Sequence, residues 1–155
     1  MSKVPKQVAE FLSKKQIAVA GVSRDAQQPA NAIYRKLKGA GYKVYAINPN
    51  AAQVEGDPCY PDLHSVPEPV EAVMVVTHPD KSEKIVRECA DLGIRHVWLH
   101  RSFGRGSVSE DAIAECERHN INLLIGGCPM MYCEPVDFGH LCMKWILKIQ
   151  SRLPG

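Results

Sequence analysis

No pair of the six cysteines has the C-x-x-C spacing of a zinc or redox site. No apolar run approaches the roughly 20 residues needed to cross a bilayer. The amino-terminal stretch MSKVPKQVAEFLSKKQ is amphipathic and lacks the apolar centre of a signal peptide. No membrane partner is therefore expected, and the cytoplasm, where the cysteines stay reduced, is the expected location. A dense basic stripe is also missing. The formal net charge is +2, the 19 Lys and Arg are scattered, and the three Phe and two Trp do not interleave with them. Nucleic-acid binding is excluded on that ground. There is no G-x-x-x-x-G-K-[ST] run, which excludes P-loop phosphoryl transfer.

What is present reads as one ordinary domain. At 155 residues, 45% hydrophobic and 23% charged, the chain can bury a core but is too short for a nucleotide domain plus a full catalytic domain. The expected single domain spans residues 1–155. Val4, Val8, Phe11 and Leu12 share a helical face, so a leading helix over about 5–14 is expected within residues 1–15. Short apolar strands then alternate with amphipathic helices. The strands are Ile17–Val22, Tyr42–Ile47, Ala72–Thr77, His96–Leu99 and Asn122–Ile125. Helical patterns carry Ile33 and Leu37, then Ile85, Val86 and Cys89, then Ala112, Ile113 and Cys116. Ser107 with Glu110 matches a capping box. A last helix is expected within residues 135–152. This alternation predicts an α/β fold with a doubly wound, parallel, five-stranded sheet. Between Asn48 and Glu71 five prolines argue against a full helix, and a loop with one turn near Asp62–Val66 is expected.

Open α/β sheets bind ligands outside the carboxyl ends of their strands. That rule selects the loops 21–28, 48–51, 77–80, 100–106 and 126–133. In the first, Gly21 allows a sharp turn and a close approach to a ligand, Ser23 offers a hydroxyl, and Arg24 a charge-matched fork. The helix starting near Pro29 adds its free N–H groups. This is not the dinucleotide fingerprint. Ser23 and Ala26 occupy the second and third glycine positions, and Asn48-Pro49-Asn50 stands where an acid would hold the NAD ribose. Thr77-His78-Pro79 reads equally as the start of a helix or as one wall of a cofactor groove. His96 and His100 on one strand are about 13 Å apart, too far for a shared metal. Cys128-x₄-Cys133 with His140 has no second close pair, so no metal is expected. The loop GGCPMMYCEPVDFGH places Cys128 at its head, as a buried thiol or as a reactive one facing the groove.

The runs IAVAGVSRDAQQPAN, YKVYAINPN, EAVMVVTHP, HVWLHRSFG and GGCPMM resemble, in this order, the CoA-binding domain family. These are stand-alone relatives of the amino-terminal domain of the succinyl-CoA synthetase α-subunit. The resemblance implies a Rossmann-like fold with a coenzyme A groove across the strand ends. By position it places Gly21, Ser23, Arg24 and Asp25 in the phosphate-side turn, and Asn48, Pro49 and Asn50 in the second-strand loop. Thr77 and Pro79 fall in the third-strand loop, and His100, Arg101 and Ser102 after the fourth strand. Cys128 joins the expected binding set from its own loop. Where the synthetase has a lysine after its second-strand loop this chain has Ala51, so Arg24, Arg35 or Arg101 must compensate. The synthetase's phosphorylated histidine lies in a second domain with no counterpart here.

The expected function is binding of coenzyme A or an acyl-CoA without catalysis, with a regulatory role as one form of it. The expected partners are that small molecule and, as the one macromolecular association allowed for, a second copy in a homodimer. The alternatives are an NAD(P)-dependent oxidoreductase, a CoA-thioester enzyme using Cys128, and a module in which Cys128 forms a mixed disulfide with CoA.

Overall fold

The computed structural model describes residues 4–101, 105–133, 138–150 and 153–154. The chain runs α1 (Lys6–Leu12), β1 (Gln16–Ala20), α2 (Pro29–Gly39), β2 (Lys43–Ile47), β3 (Gln53–Val54) and β4 (Asp57–Tyr60). It continues β5 (Ala72–Val75), α3 (Pro79–Asp91), β6 (His96–Leu99), α4 (Glu110–Arg118), β7 (Asn122–Ile125), a 3₁₀ turn (Pro129–Met131) and α5 (Phe138–Ile149). The strands form one sheet in the order β3-β4-β2-β1-β5-β6-β7. All pairings are parallel except β3 with β4.

The five expected strands form the parallel centre, but the sheet has seven, and the difference lies in the proline-rich segment. Glu55 (φ 53°) and Gly56 (φ 77°) form a two-residue left-handed turn that folds β3 back on β4. Pro58 lies within β4, and the parallel ladder to β2 involves only Cys59 and Tyr60. Strands of two and four residues leave too little alternation to register as strands in the sequence. The single turn expected near Asp62–Val66 is present, closed by a bond from Val66 N–H to the Leu63 carbonyl.

Each central strand buries side chains on both faces, which is why the strands are apolar beyond their first residue. Ile17, Val19, Met74 and Trp98 face one layer with Phe11 of α1, Ile33 and Leu37 of α2 and Leu147 of α5. Ala18, Ala20, Val73, Val75, Val97 and Leu99 face the other, with Ile85, Val86 and Cys89 of α3 and Ala112 and Cys116 of α4. Trp98 is fully buried, meets Phe11 edge-on at 5.3 Å between centroids, and donates its indole N–H to the Gly126 carbonyl at 2.8 Å. No helix among the described residues is long and apolar enough to cross a membrane.

Candidate functional site

Because β2 lies on one side of β1 and β5 on the other, strand order reverses between β1 and β5. A crevice at that point is the expected ligand position in such sheets. Gly21 sits at its floor with φ +104°, and its N–H donates to the Ile47 carbonyl at 3.0 Å. A Cβ on Gly21 would lie 2.4 Å from the Val76 carbonyl oxygen. The close approach that requires glycine here is therefore to the neighbouring strand.

Two concavities share Gly21, Val76 and Thr77 and together form a groove across the strand ends. The first, of 340 Å³, extends past Asn48, Pro49 and Asn50 to Lys81 and Lys84 on the first turns of α3. The second, of 320 Å³, extends past Gln28, Pro29 and Ala30 at the start of α2 to His100, Gly106 and Ser107. Both α2 and α3 begin with proline at N1 and have no side-chain cap. Proline removes the N1 donor of each helix, and the Asn31 and Lys81 N–H groups bond the Gln28 and His78 carbonyls. The helix dipoles are therefore what favours a negative ligand at the groove rim, more at α2 than at α3, whose first turn carries Asp80. A larger concavity of 390 Å³, lined in part by Lys6, Glu10, His96 and Asn122, lies at the amino ends of β6 and β7, away from the switch point.

Of the residues singled out in the sequence, Gly21, Asn48, Pro49, Asn50, Thr77 and His100 line this groove. Asn48 does structural duty there. Its Nδ2 donates to the Val22 carbonyl at 2.9 Å and its Oδ1 accepts from Asn50 N–H at 2.8 Å, tying the β2 loop to the β1 turn. Ser23 Oγ accepts from Asp25 N–H at 3.1 Å. Asp25 accepts from the Gln28 side chain at 2.9 Å and from Gln27 N–H at 3.0 Å, and these bonds hold its carboxyl below the usual carboxylate range. Arg24 is exposed on the same loop. Arg35 is not among the described residues lining the groove and donates to Glu55 at 2.6 Å and to the Ala26 carbonyl at 3.2 Å.

Pro79 is buried as N1 of α3. Arg101 is half-buried, and its N–H donates to the Gly127 carbonyl at 3.2 Å. Cys128 is only 3% exposed and packs in the core layer with Met131 and Leu147, so the structure does not bring it to the groove. Ser102 lies outside the described residues. Burial, with His140 nearby on α5, lowers the His100 pKa to about 4, so its imidazole is neutral at physiological pH.

The capping box expected at Ser107 is corrected by the structure. Ser109 caps α4, its Oγ accepting from Ala112 N–H at 3.0 Å. Ser107 instead donates its hydroxyl to the Thr77 carbonyl at 2.7 Å, while Ser82 donates to the Ser107 carbonyl at 2.6 Å. These bonds join the groove walls after β5 and β6. A local spacing rule could not anticipate a hydroxyl used across 30 residues.

Three residues of the site went unread in the sequence. Lys81 and Lys84 are three apart in the helix that opens with Pro79 and Asp80, and that spacing places both on one face of α3. Asn31, 1% exposed, accepts from Ser23 N–H at 2.9 Å and donates to the Ser23 carbonyl at 2.7 Å. A buried Asn one turn into a helix carries no distinctive sequence signal.

A family described as the CoA binding domain matches residues 15–134. An ADP-forming acetate–CoA ligase of Archaeoglobus fulgidus is 35% identical over 120 residues. That match covers 74% of this chain and 18% of the ligase, so the chain spans less than a fifth of this relative's length. A hypothetical protein from Pyrococcus horikoshii superposes with a TM-score of 0.77 at 24% identity, covering 88% of this chain and 98% of its own. The dinucleotide-forming acetyl-coenzyme A synthetase 1 of Ca. Korarchaeum cryptofilum superposes with a TM-score of 0.62 at 27% identity, covering 74% of this chain and 26% of the synthetase.

Proposed function

This chain belongs to the CoA-binding domain family, and from that premise we propose that the groove between β1 and β5 binds coenzyme A or an acyl-CoA and is not itself a catalytic centre. The observation that carries the reading is the groove at the switch point, bordered by two uncapped helix amino termini and by Lys81 and Lys84. The 3′-phosphate and diphosphate of CoA carry about four negative charges. Helix dipoles, two lysines and Arg24 on the adjoining loop offset that charge. The ligand's diphosphate lies against the turn after β1, as phosphates do at such switch points.

The alternatives fare less well against the same residues. Asn48 replaces the acid that would hold an NAD ribose, and its side chain is committed to Val22 and Asn50. A thioester or mixed-disulfide role for Cys128 needs an accessible thiol, and Cys128 is 3% exposed. No cysteine is among the described residues lining the groove.

Calorimetry with CoA, dephospho-CoA, NAD and NADP tests this. The expected result is micromolar binding of CoA, weaker binding of dephospho-CoA, and flat titrations with both nicotinamide nucleotides. Arg24→Ala is expected to weaken CoA binding about three- to ten-fold, the loss of one charge-assisted contact at an exposed site. A flat CoA titration overturns the proposal, and equal binding of dephospho-CoA removes the 3′-phosphate from it.

A further inference from the structure

The loop that follows β1 is held from beneath by α2, and α2 is in turn held by the β3–β4 hairpin. Asn31 bonds both the N–H and the carbonyl of Ser23, acting on the loop as a neighbouring strand would. Arg35, one turn further along α2, donates to the Ala26 carbonyl at 3.2 Å. Both side chains converge on one atom: Glu55 Oε1 accepts from Asn31 Nδ2 at 2.9 Å and from the Arg35 guanidinium at 2.6 Å. The Glu55 side chain is 16% exposed, whereas Arg35 is 49% exposed.

Two features set Glu55 apart from a hairpin residue with a solvated carboxylate. It sits at φ +53°, a left-handed conformation that a side chain with a long stem disfavours and that Gly, Asn or Asp fills more readily. Its carboxylate also settles the orientation of the Asn31 amide. A carboxylate only accepts hydrogen bonds, so the amide must turn an N–H toward Glu55. The carbonyl of Asn31 then faces Ser23 N–H, and its second N–H reaches the Ser23 carbonyl. All three bonds of Asn31 depend on that one orientation.

We propose that Glu55 is a positioning residue: through Asn31 and Arg35 it holds Ser23 and Ala26 so that the loop from Val22 to Gln28 is preset to receive the ligand's phosphates. This inference rests on the CoA reading of the groove. A ligand loop ordered before binding does not lose affinity to the cost of ordering it.

Glu55→Gly is the test, because glycine accepts the left-handed conformation while removing the carboxylate. The expected outcome is an unchanged or higher Tm, faster hydrogen exchange of the Ser23 amide in the ligand-free protein, and CoA affinity lower by at least about five-fold. Glu55→Gln keeps an acceptor for Asn31 but loses the charge on Arg35, and is expected to fall between wild type and Glu55→Gly in both readouts. A residue serving only hairpin stability would change affinity in step with Tm. Ser23 exchanging as in wild type overturns the clamp, and faster exchange with unchanged CoA affinity overturns its positioning role. If the wild-type protein takes up no CoA, it is the proposed function that fails. The exchange rate of Ser23 in ligand-free Glu55→Gly then decides the clamp alone.

Discussion

The α-carbon of Gly21 and the carbonyl of Val76 lie so close that a single added methyl group would stand 2.4 Å from the oxygen. The contact joins the two strands between which the groove opens. It also places the start of the phosphate-side turn against the loop that leads to Thr77. Stability and site geometry are therefore linked at one residue, and this link has consequences that can be measured.

Gly21→Ala should be among the most costly single substitutions in the chain. It combines a left-handed φ with backbone overlap that no side-chain rotation relieves. A loss of about 3 kcal/mol is expected, or roughly 6–12 °C in Tm for a domain of this size. Thermal unfolding of the ligand-free protein measures it, and a Tm within 2 °C or so of wild type would contradict the contact.

Lys81 and Lys84 are exposed and line the groove. Replacing both with alanine should leave Tm nearly unchanged and weaken CoA binding about ten-fold at low ionic strength. The deficit should shrink toward physiological salt, where exposed charges are screened over about 8 Å. Calorimetry at two salt concentrations reads this directly. A salt-independent deficit would place the lysines' effect in structure and not in charge.

His100 carries a pKa lowered to about 4, first by burial and second by the charge of His140. An unfolded histidine titrates near 6.5, so between these values the unfolded chain binds more protons than the native one. Stability should therefore be complete above about pH 6.5 and decline as pH falls toward 4, by on the order of 2 kcal/mol for this group. Denaturant unfolding at pH 7 and pH 4.5 tests it. His100→Gln should flatten that part of the profile, and an unaltered slope would assign the pH dependence elsewhere.

The cysteines should divide by accessibility. Cys142 is exposed, while Cys89 and Cys116 are packed between α3 and α4 with their thiol pKa values pushed up by burial. Brief alkylation of the native protein followed by peptide mass mapping should label Cys142 and spare Cys59, Cys89, Cys116 and Cys128. Modification of Cys128 at a rate comparable to Cys142 would restore it as a groove thiol.

The alternation of strands and helices is legible in the sequence, which makes each central strand apolar beyond its first residue and gives α2 and α3 starts and stops with a local reason. Pro29 and Pro79 stand at N1, and Gly41 and Gly93 take the left-handed conformation just past the helix ends. The sequence also determined where to look for a site, since strand ends follow from strand order, and it showed that Asn48 leaves the turn without a ribose acid. Tertiary structure alone decided the rest. The β3–β4 hairpin is too short to show periodicity, yet its turn residue Glu55 reaches Asn31 across 24 positions. Ser107, which matches a local cap, serves Thr77 across 30. Cys128, which the sequence leaves open between a buried thiol and one facing the groove, is packed in the core layer. Local rules act over one turn of helix or one strand. The bonds that shape this groove are made between segments that only the folded sheet brings together.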